Sequence, residues 1–180
     1  MFQVTVTPLA PVDAERLAVD LLRGEGLLTD SGPDAVATLA EEVDYFPYYI
    51  HHVVAGLRIE GLAATEDNIR DFVARQLVDA SDPWQLAHYR TRLTAYYPDS
   101  DDAEKVATIL DVLSVTAEPL KVEEILHRAN ERSAGIQDRS GALRLLRLMD
   151  ADHYLSRDTD GCYRFRFPLI RRWWKLDRGL

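Results

Sequence analysis

The chain opens on a short alternation and then changes period. Val4 and Val6 fall on one side and Thr5 and Thr7 on the other, which predicts a strand over Phe2–Leu9 ended by Pro8 and Pro11. No partner strand follows for about 140 residues, so the strand reads as the last of a sheet this chain does not contain. From Pro11 the apolar residues recur at helical spacing. Leu17, Leu21 and Leu22 form a first stripe that stops at Gly24 and Gly26. Ser31, as cap, and Pro33 begin a second, with Val36, Leu39, Ala40 and Val43 inward. Pro47 begins a third, with Ile50, Val53, Val54 and Leu57 inward and Gly61 as its stop. Thr65 caps a fourth with Ile69, Phe72, Val73 and Leu77, and Asp82-Pro83 starts a fifth with Trp84, Leu86, Leu93 and Tyr96.

The polar run Pro98–Asp102 marks the expected boundary between two domains, 1–98 and 99–180. Three further helical stripes follow it. They are Val106, Ile109, Leu110 and Leu113; then, after Pro119, Val122, Ile125 and Leu126; then Leu143, Leu146 and Met149. Tyr154–Arg157 and Cys162–Phe167 read as strands joined at Asp160-Gly161, a pair that tolerates positive φ. Pro168 opens a last helix, Leu169–Asp177. The expected fold is mainly α: a helical bundle, then a winged helix-turn-helix with a small β-hairpin.

Composition narrows the class. With 180 residues, 47% apolar and 28% charged, the chain can bury a core. No apolar run approaches the roughly 20 residues of a membrane helix, and no secretory leader opens the chain, so a cytoplasmic protein without membrane contact is expected. A single cysteine, Cys162, excludes an internal disulfide. The net charge of −9 is unevenly spread: residues 1–103 carry 7 Lys/Arg and 18 Asp/Glu, residues 104–180 carry 14 and 12. The first part is acidic, and the second ends in a cationic tail with six basic residues and one acid in 162–180.

Four stretches, in order, resemble one family. Phe46-Pro47-Tyr48-Tyr49-Ile50 is similar to the small-x-Pro-aromatic stretch in the helical lid of STAND-type, AAA+-like signalling ATPases of bacteria and archaea. His88–Leu93 with Tyr96-Tyr97-Pro98 resembles their lid-to-winged-helix junction. Tyr163–Trp174 resembles their closing winged-helix strand and terminal helix, and Val4–Leu9 their last core strand. The resemblance covers nearly the whole chain but only the C-terminal part of the family's length. It implies a proline beside a bound nucleotide base, so Pro47 and Tyr48 are candidate nucleotide contacts, with Arg58 a candidate phosphate contact. A helix-starting proline and a solvated arginine are the competing readings. The family's lid usually has Gly two residues before this proline; Tyr45 stands there. No GxxxxGK[ST] loop and no apolar strand ending in Asp-Glu occurs, so the chain is not expected to be an enzyme by itself. It is expected to take no cofactor alone. ATP or ADP would be held by a P-loop core, in the same protein or in a separate chain.

The remaining candidates are polar. His51 and His52 are adjacent and point about 100° apart on a helix, and Glu123 with His127 lacks a second histidine, so no metal is expected. Cys162 reads as structural. Arg139, Arg144 and Arg147 on the third helix and Arg157, Arg164 and Arg166 on the hairpin are candidate contacts for DNA or a protein partner. The flanking Asp138, Asp150, Asp152, Asp158 and Asp160 oppose DNA phosphates. Arg171, Arg172 and Trp174 form a cationic-aromatic end, with one of the two tryptophans facing in and the other exposed as an anchor. The expected function is a regulatory lid plus winged helix of a STAND-like ATPase; the alternative is a stand-alone winged-helix DNA-binding regulator.

Overall fold

The computed structural model describes residues 7–27, 32–97, 99–132 and 134–180. Residues 2–6 of the expected strand, the cap at Ser31 and the stop at Pro98 lie outside them. Thr7 to Leu9 form no strand.

The chain divides into two compact units, Met1–Trp84 and Gln85–Leu180. The first holds helices α1 (Pro11–Gly24), α2 (Pro33–Glu42), α3 (Pro47–Glu60) and α4 (Glu66–Val78). Proline stands at the start of the first three, where its missing N–H costs nothing and its φ is already helical. The cap of α2 is Gly32, without a side-chain hydrogen bond. Thr65 caps α4, its hydroxyl accepting from the Asn68 amide at 3.3 Å. Gly61 closes α3 at φ 66°. The expected inward faces of α2, α3 and α4 are all buried. On α1 the buried row is Ala14, Ala18 and Leu22, with Leu17 and Leu21 only half-buried. The spacing of four puts the two alanines on the same face as Leu22, and their small side chains let α2 and α3 pack close.

The second unit holds α5 (Ala87–Tyr96), α6 (Ser100–Ser114), α7 (Val122–Glu131), α8 (Arg139–Ala151), β1 (Leu155–Arg157), β2 (Tyr163–Phe165) and α9 (Pro168–Asp177). The division falls after Trp84, where the sequence pattern placed it at 98. Positive φ at Asp82 (48°) and Gln85 (57°) breaks the expected fifth helix before it starts. Trp84 stays with the first unit, its ring 5.2 Å from Tyr49. Helix α5 packs on α6, and the Tyr154 hydroxyl donates to the Tyr89 carbonyl at 2.5 Å. Tyr97 is the buried tyrosine here and Tyr96 is 46% exposed, the reverse of the periodic expectation. The Tyr97 hydroxyl donates to Asp152 at 2.9 Å. Burial, then that carboxylate, pushes the pKa of its phenol well above the ordinary range.

Asp99 and Asp138 cap α6 and α8, accepting from the amides of Asp101 (3.0 Å) and Gly141 (2.7 Å). The buried face of α7 runs through Ala129 rather than Leu126. That of α8 is Ala142, Leu145, Leu146 and Met149; Leu143 is half-buried and Leu148 is 41% exposed. Strands β1 and β2 pair antiparallel with Leu155 opposite Phe165. Their turn is held by Asp158, whose carboxylate accepts from the amides of Asp160 (3.0 Å) and Cys162 (2.8 Å), while Gly161 takes φ 82°. Leu120 bridges to Tyr163 through paired backbone hydrogen bonds of 2.9 and 2.8 Å. Helix α9 lays Leu169, Ile170, Trp173 and Trp174 into the core. The buried Asp111 of α6 accepts from Trp174 Nε1 (2.8 Å) and from Arg178 Nε (3.0 Å) and Nη2 (2.9 Å). Among the described residues no helix is long and apolar enough to cross a membrane.

Candidate interaction surfaces

In the first unit Pro47 is the first residue of α3, half-buried, and Tyr48 beside it is 47% exposed. The Tyr48 ring lies 5.1 Å from Tyr49 and 4.4 Å from His52, an aromatic cluster at the positive end of α3. Arg58 is eleven residues further on, which at 1.5 Å per residue is about 16 Å along the axis. It is exposed, and its Nε lies 3.8 Å from Glu25. Pro47 and Tyr48 are thus brought together, and Arg58 is not. The two residues before Phe46, Asp44 (φ 52°) and Tyr45 (φ 60°), are both left-handed. Tyr45 therefore holds the backbone conformation that glycine adopts without cost. Its amide donates to Ala40 and its carbonyl accepts from Leu9, at 2.9 and 3.0 Å. Partial burial, then Glu41, Glu15 and Asp44, raise the pKa of its phenol.

The candidate arginines of the second unit sort by partner. On α8, Arg139 Nε meets Glu123 at 2.6 Å, and Arg144 grips Asp102 through two bonds of 2.8 and 2.7 Å. The guanidinium of Arg144 holds the Asp102 carboxyl below the usual carboxylate range, and Arg139 does the same to Glu123. Arg147 is exposed and makes no ion pair among the described residues. On the hairpin, Arg157 lies 5.9 Å over the Tyr163 ring. Arg164 is exposed, and its side chain makes no hydrogen bond or ion pair among the described residues. Arg166 donates to His153 Nδ1 at 2.8 Å and lies 5.9 Å over Phe167. On α9, Arg171 donates to the Thr116 carbonyl at 3.0 Å, and Arg172 is half-buried.

Trp174 is not a surface anchor. It is 1% exposed and Trp173 5%, and the two rings meet edge to face at 6.1 Å. Positions 169, 170, 173 and 174 form one apolar stripe about 140° wide, so adjacent tryptophans, about 100° apart, both fall inside it. Cys162 is a free, half-buried thiol beside the hairpin turn. Among the described residues no group of three or more His, Cys, Asp or Glu side chains is placed to hold a metal ion.

Periodicity does not reveal one further feature. A cleft of about 310 Å³ opens where the α6–α7 connection, β2 and the start of α9 meet. Its walls include Leu113, Glu118, Arg164, Phe165, Arg166 and Arg171. The only sequence signal for it is the density of arginine between 164 and 172. Compared with family models, curated proteins and solved structures, the chain matches none.

Proposed function

We propose that this chain is a non-catalytic regulatory module of a STAND-like ATPase. A nucleotide-sensing helical lid is followed by a winged helix that makes intramolecular or protein–protein contacts. The order of α6, α7, α8 and the hairpin supports the winged-helix reading, and so does Leu120, which adds a third strand segment beside β2. The observation that carries protein contact over DNA is on α8. Two of its three arginines are neutralised by Glu123 and Asp102. Its outer face mixes Arg147 with Leu143 and Leu148. A helix that reads DNA keeps its cations for phosphates and bases; this one spends them internally and leaves apolar surface instead.

In this reading the nucleotide sits on a P-loop core. Pro47 and Tyr48 meet it only when the lid closes, and the winged helix reports or locks that state. The test is ATP hydrolysis by a P-loop core from the same gene or its neighbour, with and without this chain. The expected result is a several-fold change in rate that Pro47→Ala reduces. An unchanged rate, or no such core, sinks the reading.

The DNA-binding regulator keeps one supporting observation: Arg157 and Arg164 on the hairpin have no carboxylate partner among the described residues. Duplex DNA titrated at low salt decides it. Salt-dependent binding weakened by Arg147→Glu and Arg164→Glu would favour the regulator; absence of binding removes it.

A further inference from the structure

We propose that the cleft at the start of α9 docks an acidic peptide segment of a protein partner. Its carboxylates are held by Arg164, Arg166 and Arg171, and a neighbouring apolar side chain enters against Leu113 and Phe165. The inference rests on the protein-contact reading above and names the partner's chemistry.

The argument begins with unspent charge. Five arginines of this unit are tied to acids: Arg90 to Asp177, Arg128 to Glu124, Arg139 to Glu123, Arg144 to Asp102 and Arg178 to Asp111. The three that line the cleft make no such ion pair among the described residues. Arg166 spends a donor on His153 and Arg171 one on a carbonyl. A guanidinium has five N–H donors, so both keep most of theirs while held in place. Arg164 keeps all of its own. Three guanidinia around one cavity make a field that selects carboxylates and suits paired N–H···O bonds. Pro168, the first residue of α9, stands in the same wall, so the positive end of that helix adds to the field.

The cleft is also half apolar. Leu113 and Phe165, 2% and 4% exposed, form part of its lining. At about 310 Å³ it lies at the small end of ligand sites and takes a side chain or two rather than a large ligand. Glu118 stands in the wall, and Asp158 and Asp160 lie in the adjoining hairpin turn. Those acids repel a continuous phosphate backbone more than carboxylates spaced by apolar residues. Charge complementarity with an apolar floor therefore favours an acidic, partly apolar peptide.

The experiment titrates a fluorescein-labelled peptide of Glu, Asp and Leu onto the full chain at 0.15 M salt, beside its Gln, Asn and Leu counterpart. Saturable binding of the acidic peptide only is expected. Arg164→Glu should weaken it at least tenfold. Because the Arg164 side chain makes no hydrogen bond or ion pair among the described residues, that variant should keep the wild-type circular dichroism and melting temperature. Arg132→Glu, just past α7 and outside the cleft, should leave the affinity unchanged. Equal binding of both peptides, no binding, or indifference to Arg164→Glu overturns the proposal. So does displacement of the acidic peptide by duplex DNA or pyrophosphate that itself binds more tightly and is equally weakened by Arg164→Glu. Peptide binding without an ATPase response would keep this site and remove the ATPase reading; an ATPase response without peptide binding would do the reverse.

Discussion

Tyr45 and Gly56 show how single residues can be set by backbone and by distant neighbours. Tyr45 sits at φ 60°, and a non-glycine residue there costs about 1–2 kcal/mol, held by the hydrogen bonds to Ala40 and Leu9. Replacing it by glycine removes that cost but adds about 0.5–1 kcal/mol of unfolded-state entropy. Tyr45→Gly should therefore change stability by no more than about 1 kcal/mol in urea unfolding. Tyr45→Val, β-branched at positive φ, should lose about 2 kcal/mol. A larger loss for glycine than for valine would refute the conformational account. Gly56 is the opposite case, fixed by space. A Cβ built there would lie 2.0 Å from the tip of the Phe72 ring, and that ring is 4% exposed. Gly56→Ala should cost about 1–3 kcal/mol, and Phe72→Leu in the same chain should recover part of it. Neither fact was legible in the sequence. The glycine expected at 45 is absent, and the ring that makes Gly56 necessary lies sixteen residues away on another helix.

Elements were legible where the apolar stripe of the sequence is also the buried face. The stripes of α2, α3, α4 and α6 are buried as spaced, and the hairpin falls where Asp160-Gly161 puts it. Prediction failed on α1, α7 and α8 because alanines took core positions that leucines elsewhere seemed to claim; a periodic count ranks size above fit. It failed at α5 because left-handed Asp82 and Gln85 carry no glycine signal. The ties between elements were invisible too, and two are testable. Asp111 joins α6 to α9 through Trp174 and Arg178. Asp111→Ala should leave a buried indole N–H unpaired and cost about 1–3 kcal/mol, read by unfolding followed through tryptophan fluorescence. Asp102 joins α6 to α8 through Arg144, which lowers its folded pKa. A carboxylate depressed by folding stabilises above its unfolded pKa, and that stabilisation is lost as pH falls through the folded value. Asp102→Asn should therefore lower the melting temperature at pH 7, and the gap to wild type should close on acidification below the ordinary carboxylate range. A gap independent of pH would mean the tie is steric rather than ionic.

Charge and cooperativity belong to the whole molecule. The net −9 resides in the first unit, which carries 5 Lys/Arg against 15 Asp/Glu; the second carries 16 against 15. The overall acidity is therefore no argument against an anion-holding cleft beside α9, since charge acts within about a Debye length of where it sits. Each unit also has its own apolar core, around α3 and α4 in one and α6 and α9 in the other. A defect in one core should open that unit and leave the other protected, because sub-global opening follows contiguous packing. Hydrogen exchange on the full chain reads this directly. Gly56→Ala should speed exchange of the slowest amides in α3 and α4 by tenfold or more, roughly the factor about 1.4 kcal/mol produces, and leave those of α6 and α9 within twofold. Asp111→Ala should do the reverse. Equal acceleration throughout the chain under either substitution would mean that Trp84 and Gln85 divide nothing, and that the two cores unfold as one.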